Sequence, residues 1–214
     1  MPRWAMVIDL RKCIGCNTCQ YVCMEMNRPP GGGEWRRVID PGPVASPDGC
    51  RIFLPIGCMH CEKPPCLDVC PSGATRKHFG GIVDVDFTRC LGCGACVVAC
   101  PYGARYVSEE DGMRPCDEGP KAGSGPMPKD RIGVSSKCHF CRPIVEAGLA
   151  KGLKPGIDAD ASPHCVRHCL GEALHFGDLD DADSEVSRMI KDNRAVQLHE
   201  AVGTRPAVFY IVES

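Results

Sequence analysis

Cysteine is the residue type with the clearest chemical potential in this sequence, occurring 18 times in 214 residues. Sixteen of these cysteines fall into four groups of four. The groups are Cys13, Cys16, Cys19, Cys23; Cys58, Cys61, Cys66, Cys70; Cys90, Cys93, Cys96, Cys100; and Cys138, Cys141, Cys165, Cys169. Thiolates are the ligands of iron–sulfur clusters, and a cubane 4Fe–4S cluster takes four of them. Sixteen thiolates therefore predict four 4Fe–4S clusters.

The third group has the most regular spacing. From Cys90 to Cys100 it reads C-x2-C-x2-C-x3-C, and Pro101 follows. Bacterial two-cluster ferredoxins use this run, in which the fourth cysteine ligates the neighbouring cluster. Small residues inside the run, Gly92 and Gly94, let backbone N–H groups approach a cluster closely. The motif therefore builds clusters in pairs.

The other groups indicate which pairs form. The second group has the same pattern with two inserted residues and a following Pro71, so we pair it with the third. The first and fourth groups lack the proline, and we pair them with each other, although 23 residues separate Cys141 from Cys165. The predicted ligands are Cys13, Cys16, Cys19 and Cys169 for cluster 1; Cys23, Cys138, Cys141 and Cys165 for cluster 2; Cys58, Cys61, Cys66 and Cys100 for cluster 3; and Cys70, Cys90, Cys93 and Cys96 for cluster 4.

Zinc and disulfides are the alternatives for these cysteines. Zinc sites use C-x2-C pairs closed in fours, and only Cys138 and Cys141 look like such a pair in isolation. Disulfide scaffolds are typical of short secreted chains, and residues 1–10 lack the apolar segment of a signal peptide. The remaining Cys50 and Cys116 are expected to be small hydrophobic residues. His60, inside the second group, either hydrogen-bonds to a cluster or only fills its loop.

The composition suits an interior partly filled by clusters. Only 6% of the residues are aromatic, whereas 24 are glycine and 19 are proline. We therefore expect a modest aliphatic core and an apo chain that folds poorly. The formal net charge of −2 becomes more negative when clusters bind, which disfavours nucleic acid as a partner. Basic residues that precede three of the groups, Lys12, Arg89 and Lys137, are either solvated or compensate cluster charge.

Short elements must position the cysteine groups. Strands are predicted at residues 4–10, 81–87 and 174–178, the middle one with alternating apolar and acidic residues, and helices at 16–27, 65–70, 93–100 and 163–170. A regular helix at 186–193 begins after the capping residues 183–185. A last strand at 207–212 either pairs within the domain or docks on a partner.

The predicted fold class is α+β and loop-rich, with two tandem ferredoxin-like lobes that each hold two clusters. Residues 1–30 and 132–182 form the outer lobe, and residues 50–108 form the inserted lobe. Residues 109–131 are a loop insertion, and residues 183–214 contribute the C-terminal helix and strand. The apolar run at 207–212 is too short to span a bilayer. We expect a cytoplasmic chain, or one held at the cytoplasmic membrane through a partner, with export beside a signal-bearing partner left open.

Two motifs carry a resemblance to a known family. The second group reads CMHCEKPPC at residues 58–66, and the fourth opens with KCHFC at residues 137–141. Together with the four groups, they resemble the iron–sulfur subunit of dimethyl sulfoxide reductase-type molybdenum or tungsten oxidoreductases over residues 4–180. The family implies a catalytic subunit with a bis-pterin Mo or W centre and often a membrane anchor that exchanges electrons with quinone. Leu170, where a proline is usual, and the insertion at 109–136 depart from the family pattern.

The interpretation that follows is an electron-transfer subunit without a catalytic residue of its own. Single electrons would pass through the four clusters between the catalytic subunit and the membrane anchor or another acceptor. The alternative is a freestanding polyferredoxin that carries electrons between enzymes. A regulatory iron–sulfur sensor would need a DNA-reading element, and the sequence has neither a basic stretch nor a recognition helix for one.

Overall fold

The computed structural model of this chain describes residues 1–30, 33–40, 42, 51–108 and 131–212. Its elements are small and mixed, which confirms the α+β class. The strands are β1 (Trp4–Asp9), β2 (Arg36–Ile39), β3 (Leu54–Gly57), β4 (Thr75–Lys77), β5 (Val83–Val85), β6 (Tyr106–Val107), β7 (Ser135–Ser136), β8 (Leu174–Asp178) and β9 (Val208–Ile211). The α-helices are α1 (Thr18–Asn27), α2 (Pro65–Asp68), α3 (Ala95–Val98), α4 (Arg142–Ala150), α5 (His164–Arg167) and α6 (Glu185–Asn193).

Strand β1 is the centre of a three-stranded sheet with the order β8-β1-β9. It runs antiparallel to β8 and parallel to β9. All six of its residues are buried because both faces are covered. Met6 and its neighbours on one face pack towards the cysteine-bearing helices, and Val7 on the other face packs with Val186 of α6. The last strand thus pairs within the chain, which decides between the two outcomes left open above.

The helices that carry cysteines are shorter than the spacing predicts. Helix α1 begins at Thr18 rather than residue 16, and α3 covers only Ala95–Val98. The residues immediately before them, Asn17 and Gly94, have φ values of 58° and 74°. A right-handed helix cannot include such left-handed residues, so each helix begins only after the cysteine loop has turned.

Six elements lie where no element was predicted. Helix α4 takes up nine residues of the gap between Cys141 and Cys165, and five strands form short antiparallel pairs: β2 with β3, β6 with β7, and β4 with the predicted β5. The sequence of α4 contains a proline near its start and a glycine near its end, which obscures its helical periodicity. No helix within the described ranges is long and apolar enough to cross a membrane. The predicted loop insertion lies outside the described residues up to residue 130, as do Cys50 and Cys116.

The acidic residue of β5 is buried, contrary to the alternating pattern expected for that stretch. Asp84 accepts a hydrogen bond at 3.0 Å from Nε of Arg142, the first residue of α4. Lys137, also buried, donates through Nζ to the carbonyl oxygens of Val83 and Cys138. Burial raises the pKa of the Asp84 carboxyl, but the charges of Lys137, His139 and Arg142 and the N–H of Val85 outweigh it and hold the pKa below its usual value. This charged cluster joins β5 to the fourth cysteine group.

We expect Asp84→Asn to lower the free energy of unfolding by about 2 kcal/mol, because it leaves two cations near the interior without their anion. Anaerobic urea unfolding followed by circular dichroism measures the change. Glu146→Gln is the matched control, since Glu146 also contacts Arg142, at 3.3 Å, but from the surface; its effect should stay below about 0.5 kcal/mol. Equal effects of the two variants would contradict the role assigned to Asp84.

We expect Gly148→Ala in α4 to destabilise the protein by about 1–3 kcal/mol, the usual cost of overpacking. A methyl group on Gly148 would overlap Ala161, so the helix lies too close to the following segment for a larger residue. Helix propensity alone predicts the opposite sign, a gain of about 1 kcal/mol. Thermal unfolding decides between them, and a raised midpoint would refute the close packing.

Candidate metal centres

Three of the predicted ligand sets each line a small cavity of their own. We call Cys13, Cys16, Cys19 and Cys169 set 1, and all four line one cavity. We call Cys58, Cys61, Cys66 and Cys100 set 3, and they line a second cavity. We call Cys70, Cys90, Cys93 and Cys96 set 4, and they line a third. The structure thus gathers the thiols of each of these sets around one point of the interior.

The four remaining thiols, which we call set 2, are gathered in the interior: Cys23, Cys138, Cys141 and Cys165. All four are buried. Burial raises the pKa of Cys23 well above the usual thiol value, and the nearby Cys138, Cys165 and Cys141 raise it further. Asn27 Nδ2 lies 3.5 Å from Cys23 Sγ and 3.8 Å from Cys141 Sγ. The structure thus brings these four sulfur atoms together.

Burial keeps several of the free thiols protonated at neutral pH. It raises the pKa of Cys19 to about 11 and that of Cys61 to about 12. Such thiols keep their protons at neutral pH until a soft metal displaces them, so metal binding and proton release are linked.

Within the described residues, no three or more His, Cys, Asp or Glu side chains converge on a point that would hold a single metal ion.

Backbone N–H groups point at several of the sulfur atoms. Ala173 N lies 3.3 Å from Cys169 Sγ, Thr75 N 3.4 Å from Cys70 Sγ, and Ser135 N 3.3 Å from Cys90 Sγ. At Cys70, burial raises the pKa, but the N–H of Thr75 and the hydroxyl of Ser72 outweigh it and lower the pKa to about 7. Donors at a sulfur atom stabilise the thiolate and tune the potential of a cluster it binds. Four thiols in each set, with N–H donors directed at some of the sulfur atoms, are a donor set that fits 4Fe–4S clusters.

The residue before the second cysteine of each group is left-handed. Gly15 and Gly92 have φ values of 67° and 66°, and the equivalent His60 and Phe140 have 44° and 52°. The last two are costly places for side chains with a Cβ atom. Their rings compensate by stacking on each other, with centroids 3.7 Å apart. Val83 N donates to His60 Nδ1 at 3.1 Å, which assigns the ring proton to Nε2 when the ring is neutral. Neither this stacking nor the shared conformation was predicted.

The basic residues that precede the cysteine groups divide into two kinds. Lys12 and Arg89 are exposed, and Arg89 donates at 3.1 Å to the carbonyl oxygen of Ser72. Only Lys137 is buried. Two buried arginines that the sequence reasoning missed, Arg36 and Arg105, lie beside thiols instead. Successive residues of a strand face opposite sides, so two adjacent arginines in β2 could have indicated that one of them, Arg36, faces inward.

The comparisons with known proteins agree with this geometry. A family profile described as a 4Fe-4S dicluster domain matches residues 50–130. A selenate reductase subunit of Mesobacillus selenatarsenatis is 36% identical over 98% of this chain and 72% of its own length. A protein of Halobacterium salinarum, named as a dimethyl sulfoxide reductase iron-sulfur subunit, is 38% identical over 99% and 79%. The arsenate respiratory reductase iron-sulfur subunit of a Shewanella species is 33% identical over 98% and 96%. The chain therefore belongs to the family of iron–sulfur subunits of dimethyl sulfoxide reductase-type oxidoreductases.

Proposed function

We propose that this chain binds four 4Fe–4S clusters through sets 1 to 4. It relays single electrons between a catalytic subunit with a Mo or W bis-pterin centre and a membrane anchor or another acceptor. The observation that carries the proposal is the gathering of sixteen thiols into four separate sets in a chain of this family. When bound, each cluster supplies one-electron redox chemistry. The residues of the chain hold the four sites in a fixed order, exclude water from them and determine the charge around them.

The connections between sets support a linear order from set 1 to set 4. Cys19 and Cys23 lie one turn apart on α1 and belong to sets 1 and 2. In the same way, Cys96 at the start of a helical turn belongs to set 4 and Cys100 at its end to set 3. Sets 2 and 3 approach each other through Cys138 and Cys58. This order spans two ferredoxin-like lobes, and the packing of α1 on α5 and of α2 on α3 supports that division.

The two terminal sets, 1 and 4, are more exposed than set 2 in the middle of the order. Set 2 is fully buried, whereas Cys16 of set 1 and Cys93 of set 4 are exposed. Beside them, Ile14 and Leu91 occupy equivalent loop positions and are 63% and 71% exposed. Thin cover over a terminal site lets a redox partner come close, and an apolar residue there favours docking. We therefore assign one partner to each end.

Serine variants test the ligand pairing. We expect Cys19→Ser and Cys169→Ser to alter the same cluster signal in electron paramagnetic resonance spectra of the reduced protein. We expect Cys23→Ser and Cys165→Ser to alter a different cluster signal, because cysteines one helical turn apart ligate different clusters. Iron analysis of the unaltered protein should give about sixteen atoms per chain. A common signal for Cys19→Ser and Cys23→Ser would refute the pairing, and about four irons or fewer would refute the function.

Aspartate variants test the two docking ends. We expect Ile14→Asp and Leu91→Asp each to weaken binding of one partner roughly tenfold while leaving iron content unchanged, because a charge in an interface core costs about 1–3 kcal/mol. Ile157→Asp is the control, since Ile157 is 77% exposed and belongs to no set. Affinities come from titrating the purified partner subunits. A chain that is isolated as a stable monomer and binds neither partner would favour the freestanding carrier instead.

A further inference from the structure

Neighbouring clusters create an electrostatic problem inside this protein. Four thiolates leave a charge of about −2 on an oxidised cubane, and reduction adds another negative charge. Sets 1 and 2 share α1, and sets 3 and 4 meet where Cys66 and Cys96 pack with Val83. Like charges held this close in a medium of low dielectric constant repel strongly. A buried cation between the members of each pair would offset the repulsion.

Arg36 has the position that such a cation needs in the first pair. It is 3% exposed, and its Nη2 lies 3.8 Å from Cys165 Sγ of set 2 and 2.8 Å from Met6 Sδ. The charge of Arg36 acts on Cys165 and Cys138 of set 2 and on Cys19 of set 1. A guanidinium stays protonated in proteins, so Arg36 places a positive charge between thiols of both sets.

Arg105 has the corresponding position in the second pair. It is 4% exposed, and its charge acts on Cys66 and Cys58 of set 3 and on Cys96 of set 4. Nη1 donates at 3.2 Å to Thr75 Oγ1 and at 3.4 Å to Ser135 Oγ, while Nε and Nη2 have no hydrogen-bond partner among the described residues. Ser135 Oγ in turn lies 3.2 Å from Cys96 Sγ. The guanidinium is thus held in place by two hydroxyl groups, and no carboxylate pairs with it among the residues that the structure describes.

Neither arginine is paired with a carboxylate in the part of the chain that the structure describes. Among those residues, no Asp or Glu lies within ion-pair distance of Arg36 or Arg105. Lys137, which is also buried and contacts the carbonyl oxygen of Cys138, differs because Asp84 is close enough to share its charge. A buried guanidinium without a carboxylate is costly. Among the described residues, the thiols beside each arginine, as thiolates that bind clusters, are the groups that can offset that cost.

We propose that Arg36 and Arg105 are the counter-charges of the two cluster pairs, each setting the reduction potentials of the pair in which it is buried. This inference rests on the proposed function. Arg36 stabilises the reduced state at sets 1 and 2, and Arg105 does so at sets 3 and 4. Exposed Lys12 and Arg89 contribute little, since water and salt screen them.

Charge-removing variants test the proposal in holoprotein isolated anaerobically. We expect Arg36→Gln to lower the ratio of reduced to oxidised cluster at sets 1 and 2 at least tenfold at a fixed ambient potential, or about 59 mV for one-electron couples. Arg105→Gln should do the same at sets 3 and 4. Redox titration followed by electron paramagnetic resonance gives the four midpoint potentials, assigned with the serine variants above. The matched controls are Arg37→Gln, on the same strand as Arg36, and Arg89→Gln, beside Cys90, and they should leave all four potentials unchanged.

Two results would overturn the proposal. One is a glutamine variant of Arg36 or Arg105 that has full iron and the same reduction potentials as its control. The other is a glutamine variant that shifts the potentials of all four clusters equally. If a glutamine variant cannot be isolated with full iron, Arg36→Lys and Arg105→Lys decide. Lysine variants that keep full iron and have potentials near the native values support the role of charge. Lysine variants that lose iron, as the glutamine variants do, refute it. Native protein without four clusters would instead refute the proposed function, so the two failures are distinguishable.

Discussion

One helical turn between the third and fourth cysteine of a group is the constraint on which the structure depends. It directs the thiols of Cys19 and Cys23 to different sites, and the same geometry separates Cys66 from Cys70 and Cys165 from Cys169. Each predicted site therefore draws its thiols from at least two separate parts of the chain, so the four thiols of a set meet only when the tertiary fold is in place.

The same constraint explains why polar chemistry is concentrated in the interior. Eight of the sixteen thiols in the sets are buried, and burial raises the pKa of several of them, to about 12 for Cys61 and Cys141. Buried arginines and inward-facing N–H groups, such as that of Thr75, offset part of this cost. The core therefore combines large apolar side chains, such as Phe140 and Phe176, with thiols and buried cations.

Much of this arrangement could be predicted because cysteine spacing is local. The C-x2-C-x2-C-x3-C run indicates which thiols share a site; the structure has the same thiols side by side, and their ligation of clusters stays a prediction. The class of fold and the sheet strands near residues 4–10 and 174–178 followed from periodicity. Tertiary contacts decided the rest. Arg36 and Asp84 look like solvated charges in sequence, and only their long-range neighbours reveal that they are buried. Helix α4 was missed because Pro143 and Gly148 interrupt its pattern, although Gly148 is there for close packing on Ala161.

The stacked rings of His60 and Phe140 hold the loops of the second and fourth cysteine groups against each other. Both residues accept a left-handed backbone that costs about 1–3 kcal/mol, and in return the second and fourth cysteine groups meet through a direct aromatic contact. The contact holds the two loops next to each other through the rings themselves. It does not depend on the length of the chain that connects residues 60 and 140, so a change in that length can leave the two loops in contact.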